Sequence, residues 1–202
     1  MESITTIVLA GGASTRMGAP KALLRFGSET AIERVLRRMR PVSACLLVVS
    51  GPHLALPPLG ADVRIVEDRE PFLGPVAGIR NGLRAATTDL SFVCGCDQPL
   101  VAPEVARCLA EKAAGASGAV AVWQGHREPL VAVYRRRVAD VAQQMLLEGE
   151  RRAQELIARA GLVEVDEETL RAVDPSGATF FDVDTPEAYA EAVRRVAAET
   201  TP

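Results

Sequence analysis

The sequence predicts an α/β protein with a mostly parallel sheet covered by helices on both faces. Three observations support this. Short apolar runs rich in β-branched residues alternate with helical periodicity through the first half of the chain. Those runs are apolar throughout, the pattern of strands buried on both faces. The first run opens directly into a glycine-rich loop, as strands do where such sheets hold ligands, beyond their carboxyl ends.

In order along the chain, Ile4 to Ala10 reads as the first strand, ending at Gly11-Gly12. Thr30-Ala31-Ile32-Glu33 has capping-box spacing, and Ile32, Val35, Leu36 and Met39 recur at helical intervals until Pro41, predicting a helix over 31–40. Ala44 to Ser50 and Val63 to Glu67 repeat the strand pattern. Pro75 begins a helix carrying Val76, Ile79, Leu83 and Ala86, and Leu90 to Cys94 is a further strand. The second half predicts helices near 103–114, 138–147 and 153–160, with strands at 119–123 and 130–134. Thr179 to Val183 reads as a strand, and Thr185-Pro186 caps a last helix to about Ala198.

The chain has 202 residues, 48% hydrophobic and 24% charged, which suits one domain over 1–202 with a sizeable core. The net charge of -3 gives no overall basic field for a nucleic acid. The clusters Arg34, Arg37, Arg38, Arg40 and Arg135-Arg136-Arg137 read as solvated faces. Met1-Glu2-Ser3 lacks signal-peptide features and no apolar run approaches ~20 residues, so a cytoplasmic protein with no membrane partner is expected. Cys45, Cys94, Cys96 and Cys108 follow neither disulfide nor paired zinc spacing and read as buried thiols. His53 and His126 are too isolated for a zinc site.

Chemistry concentrates in three segments. In Leu9-Ala10-Gly11-Gly12-Ala13-Ser14-Thr15-Arg16-Met17-Gly18-Ala19-Pro20-Lys21, glycines let backbone N–H groups approach phosphate oxygens. Arg16 can clamp those oxygens and Lys21 can set a point charge on them. The loop matches neither a P-loop nor a dinucleotide fingerprint. Asp97, in Cys96-Asp97-Gln98-Pro99 just past a buried strand, is a candidate magnesium ligand or, alternatively, a turn cap. Asp182 and Asp184, at strand spacing, face one side as a second metal contact, or Asp184 favours the start of the last helix.

These segments, in this order, resemble the molybdenum cofactor guanylyltransferases of the wider nucleotidyltransferase family, which carry L-A-[AG]-G-x-S-x-R-M-G-x-x-K near the N-terminus. The resemblance extends through Glu67-Asp68, Gly74-Pro75-Val76-Ala77-Gly78, Cys96-Asp97-Gln98-Pro99, Glu128 to Tyr134, Gly149-Glu150-Arg151-Arg152 and Asp182 to Glu187. It implies a three-layer α/β/α Rossmann-like nucleotidyltransferase fold with a mostly parallel mixed sheet. It further implies GTP as donor, molybdopterin or its molybdenum form as acceptor, Mg2+ as cofactor, and molybdoenzyme maturation proteins as recipients.

Arg16, Lys21 and Asp97 then take catalytic roles, with Asp97 also holding the metal. Leu9, Ala10, Gly11, Gly12, Lys21, Ser50, Asp68, Gly78 and Asp97 line the nucleotide in the first half. Arg151, Arg152, Asp182 and Asp184 face the acceptor in the second, with Pro129 to Tyr134 lining its pocket. Gly11, where cytidylyl-transferring relatives carry Ala, and the Gly74–Gly78 loop favour guanine. Pro20 and Ser50 depart from the guanylyl pattern, and the Asp182/Asp184 pair resembles the cytidylyl branch. A cytidylyltransferase on the same acceptor, a sugar-phosphate nucleotidyltransferase and an inactive nucleotide-binding regulatory module are the rival readings. A monomer is expected.

Overall fold

The Ile4–Ala10 run forms β1, buried along its whole length. Its side chains alternate between two cores, as the two-residue period of a strand requires. The computed structural model describes residues 2–11, 19–52, 54–68 and 74–200; Gly12, Arg16 and His53 lie outside them. After β1 come a two-stranded ribbon, β2 (Arg25–Phe26) and β3 (Glu29–Thr30), and α1 (Ala31–Met39). The predicted capping box is present: Thr30 Oγ1 accepts from the Glu33 amide, and the Glu33 carboxylate accepts from the Thr30 amide at 2.7 Å.

The chain continues through β4 (Ser43–Ser50), β5 (Val63–Glu67), α2 (Pro75–Ala85), β6 (Leu90–Gly95) and α3 (Pro103–Lys112). Then follow β7 (Gly118–Trp123), β8 (His126–Arg135), α4 (Val138–Leu147), α5 (Ala153–Ala160), β9 (Val163–Val165), α6 (Glu167–Arg171) and α7 (Pro186–Thr200). Seven strands form one sheet in the order β5-β4-β1-β6-β8-β7-β9. Of these, β8 alone runs against the others. Helices α1 and α3 contribute to the core on one face; α2, α4 and α5 contribute to that on the other. The predicted three-layer α/β/α architecture with a mostly parallel sheet is therefore observed.

A third, smaller cluster joins Phe26, Ala31, Leu100 and Val183 to Ala192 and Val196 of α7. It seats the tail against the loop that follows β6.

Two readings are corrected. Thr179 to Val183 is not a strand: Ala178–Phe180 forms a single 3-10 turn and the backbone then runs without a sheet partner to α7. The basic clusters are not simply solvated faces. Arg34 is buried, donating from Nε to the Pro99 carbonyl and pairing with Glu199, while Arg38 donates to the Val101 carbonyl. Arg135 pairs with Glu2 and Asp89, and Arg136 donates to the Ala86 carbonyl. Arginine's forked donors satisfy loop carbonyls that no regular element can reach.

Gly82 marks how closely α2 lies on β1, because a Cβ there would stand 2.5 Å from Ile7 Cγ2. Ile7 is fully buried and cannot swing away. The helix-propensity gain of Gly82→Ala, about 1 kcal/mol, is smaller than an overpacking cost of about 1–3 kcal/mol. Urea unfolding should show a net loss of stability; a variant as stable as the parent would contradict this packing.

Candidate active site

Four parallel strands deliver their carboxyl ends in a row, since Leu9 pairs with Gly95, Ala10 with Ser50, and Ser50 with Glu67. Backbone bonds continue the row past the strand ends. Cys96 N–H donates to the Leu9 carbonyl at 3.0 Å, and Asp68 N–H donates to the Ser50 carbonyl at 2.8 Å. Leu9, Ala10, Gly11, Ser50, Asp68 and Asp97 thus share one edge of the sheet, beside the strands where its connections diverge, the usual ligand crevice of such sheets. Gly78 lies on α2 behind it, and a Cβ there would stand 3.3 Å from Leu9 Cδ2, so its smallness serves packing beneath the loop.

Lys21 starts a 3-10 turn over Lys21–Leu23, launched by Pro20, whose carbonyl accepts from Leu23 N–H at 2.9 Å. From there Lys21 Nζ donates to Asp97 Oδ2 at 2.8 Å and also to Asp184 Oδ1. The tail reaches this point because Val183 N–H donates to the Asp97 carbonyl at 2.9 Å. Burial pulls the Lys21 ammonium's pKa down. Its hydrogen bonds to Asp184 and Asp97, and then their charges, outweigh that and hold it above the usual lysine range. Lys21 is a fixed cation across neutral pH.

Asp182 completes the cluster. Desolvation in the cleft, then the charge of Asp97, push its carboxyl up to about 7, with Asp184 and Glu128 adding to the effect. Its hydrogen bond with Gln98 opposes the shift. Water still reaches the outer face of Asp182, which softens all these effects.

These oxygens are hard donors of the kind magnesium takes. Among the described residues, however, no group of three or more His, Cys, Asp or Glu side chains could hold a metal by itself. The carboxylates fit a partial shell that phosphate oxygens and water would finish. Among the described residues no helix is long and apolar enough to cross a membrane.

Comparison with known proteins assigns the chain to a family. Residues 6–166 match the family model of the MobA-like NTP transferase domain. The chain belongs to the MobA-like NTP transferase family. It is 36% identical over 199 residues to a protein of Methanosarcina acetivorans named probable molybdenum cofactor guanylyltransferase, covering 92% of this chain and 88% of that one. To a protein of the same name from Pelotomaculum thermopropionicum it is 34% identical over 201 residues, covering 100% and 96%.

Molybdopterin-guanine dinucleotide biosynthesis protein A from Archaeoglobus fulgidus has the same fold, with a TM-score of 0.80 at 24% identity, covering 98% and 100% of the two chains. So does 2-C-methyl-D-erythritol 4-phosphate cytidylyltransferase from Thermus thermophilus, at 0.73 and 21%, covering 96% and 99%. As a MobA-like NTP transferase, this chain is a nucleotidyltransferase.

Not every expected residue of the MobA-like site converges. Arg151 and Arg152 precede α5, and the Arg151 carbonyl oxygen would lie 3.6 Å from a Cβ at Gly74, at the head of α2. Arg152 is highly exposed and pairs with Glu150. Asp184 instead pairs with Lys21, and Asp182 lies beside Gln98 and Asp97. Val131, Ala132, Val133 and Tyr134 are core residues without exposed surface, so this stretch does not line an open pocket. Two residues carry roles that spacing alone does not announce. Gln98 Oε1 accepts from Gly95 N–H at 2.9 Å, leaving its amide NH2 for Asp182, and Asn81 Nδ2 donates to Asp68 Oδ1 at 3.1 Å. Gln98 was visible beside Asp97; Asn81 has no local signal.

A Cβ at Gly95 would stand 2.2 Å from Asp97 Oδ1. Gly95→Ala should therefore displace that carboxylate and lower nucleotidyl transfer by about a hundredfold, with the circular dichroism spectrum unchanged; wild-type turnover would show that the placement of Asp97 is unimportant. The Asp182 carboxyl, with its pKa raised in the fold, favours folding fully below the unfolded carboxylate pKa of ~3.9. That contribution is lost as pH rises through about 7. In chelator without nucleotide, Asp182→Asn should gain thermal stability over the parent between pH 5 and 8; a flat difference across that range would refute the crowding of the carboxylates.

Proposed function

We propose that this chain transfers GMP from Mg-GTP to the terminal phosphate of molybdopterin, yielding molybdopterin guanine dinucleotide and pyrophosphate. The observation that carries this reading is the meeting of Lys21, Asp97 and Asp184 at the carboxyl end of the sheet, in a chain closely related to probable molybdenum cofactor guanylyltransferases. An acceptor phosphate oxygen attacks the α-phosphorus, and the bond to the β-phosphate breaks with its electron pair leaving on pyrophosphate. No covalent enzyme intermediate is needed.

Lys21 turns from its carboxylate partners to the phosphates and stabilises the charge that develops as they separate. Gly11 leaves room for backbone amides to approach the phosphate chain, in a loop that also holds Gly12 and Arg16. Asp68, oriented by Asn81, accepts the N1–H and N2–H of guanine, a polar readout that rejects bases lacking those donors. Magnesium held by Asp97, with Asp182 or Asp184 beside it, would supply charge neutralisation on the triphosphate. Arg151 and Arg152 remain candidates for the acceptor's phosphate. The protein works as a cytoplasmic monomer in this reading.

The test is pyrophosphate release with molybdopterin and each nucleoside triphosphate in turn. GTP should support turnover and CTP should not. Lys21→Ala should reduce turnover by about 10²–10³-fold while leaving the protein folded. Preference for CTP would assign the chain to cytidylyl transfer, and tight GTP binding without pyrophosphate release would make it a regulatory module.

A further inference from the structure

We infer that a cavity of about 330 Å³ walled by Trp123, Glu128, Arg171, Phe180, Phe181 and Arg195 receives the planar ring end of the acceptor, a bicyclic heterocycle with an aminopyrimidinone edge. This assignment rests on the reaction proposed above and locates one end of its acceptor.

Sheet order separates the two ring-binding ends. Ser50 and Asp68 stand at β4 and β5, on one side of β1, whereas the cavity is built on the β7–β8 hairpin, beyond β6 on the other. Asp97, just past β6, lies between them. The cavity also abuts the reacting cluster, because Phe181 directly precedes Asp182 and the Glu128 charge acts on the Asp182 carboxyl. A ligand whose ring occupies the cavity extends its phosphate toward Lys21.

The walls are already packed. Trp123 and Phe180 stack at 4.3 Å with their planes 6° apart, and the Arg171 guanidinium lies 4.5 Å from the indole centre. Gly177 backs the indole so closely that a Cβ would meet Cζ2 at 2.1 Å. The Arg195 guanidinium covers Phe181 at 4.4 Å. Flat guanidinium and aromatic surfaces accept a flat heterocycle, and a wall fixed in advance adds little ordering cost on binding.

The cavity's charges define the edge it reads. Arg171 and Arg195 are ion-paired with Glu167 and Glu191. The Glu128 side chain is half-buried and, among the described residues, its carboxylate accepts no side-chain hydrogen bond. An acceptor-only carboxylate matches the adjacent ring N–H and exocyclic NH2 of an aminopyrimidinone, and the arginines match its carbonyl. Pterins and guanine share that edge, so the experiment must separate them.

Trp123 is the sole tryptophan, and its emission reports on the cavity directly. Titration with 6-hydroxymethylpterin phosphate should quench it saturably, and saturating GMP should not reverse the quench. Glu128→Gln and Arg195→Ala should each weaken the quench titration about tenfold, while Arg194→Ala, outside the cavity, leaves it unchanged. In turnover, Glu128→Gln should raise KM for molybdopterin without altering KM for GTP. Displacement of the pterin by GMP, or wild-type pterin binding by both cavity variants, would overturn the assignment. Saturable quenching in a wild-type protein that transfers no nucleotide would uphold the cavity and sink the proposed reaction instead.

Discussion

The Lys21 ammonium, held between Asp97 and Asp184, is the constraint around which the rest is arranged. Its partners lie 76 and 163 positions away in the sequence, so the contact exists only once the whole chain has folded. Stability does not explain it. The Asp184 side chain is 59% exposed, and ion pairs open to water contribute only about 0–1 kcal/mol. Two carboxylates share the one ammonium and the Asp182 carboxyl crowds against Asp97 beside them, an excess of acidic groups that the fold tolerates without relieving. Such a cluster suits a ligand that brings its own cations and exchanges partners with the lysine, as a metal-bound triphosphate does.

Backbone contacts hold the cluster more firmly than its charges do. The Asp97 loop is tied on one side to β1 through Cys96 and Leu9, and on the other to the tail through Val183. Gln98, nearly buried, locks the turn by accepting from Gly95 and then reaches Asp182. Asp97 therefore stands on a short loop whose main chain is bonded to two neighbours, and one of those neighbours is the tail that carries Asp182 and Asp184. Directional positioning of this kind does not depend on which partner Lys21 holds.

How much of this the sequence discloses depends on burial. Strands β1, β4 and β6 are largely enclosed between helical layers, so their apolar runs are unambiguous and Leu9, Ser50 and Asp97 can be set at strand ends in advance. The tail is different. Thr179 to Val183 has a strand's composition, yet Asp174 accepts from the Ala178 and Thr179 amides at 3.2 and 2.9 Å, and the Thr179 hydroxyl accepts from Ala102 N–H at 3.0 Å. Side-chain acceptors supply what a neighbouring strand would have offered, and the segment curls into a 3-10 turn. Elements as short as β9 and α6 leave no periodicity to read, although Asp166 caps α6 by accepting from Thr169 N–H at 2.8 Å. Convergence of Asp184 on Lys21 is tertiary information and has no local trace.

The same tertiary logic makes α7 part of the frame that holds this cluster. Buried Arg34 on α1 donates to the Pro99 carbonyl in the Asp97 loop and pairs with Glu199 near the end of α7; a buried guanidinium deprived of its carboxylate costs several kcal/mol, so the three elements stay together. At the other end of α7, the Tyr189 hydroxyl donates to the Arg25 carbonyl at 2.6 Å, and its ring meets Phe26 edge-on at 5.5 Å. That anchors β2, only a few residues after Lys21. The lysine's own segment, the Asp97 loop and the Asp184 tail are thus each fastened to one helix, and the geometry of the cluster is set where the beginning of the chain packs against its end.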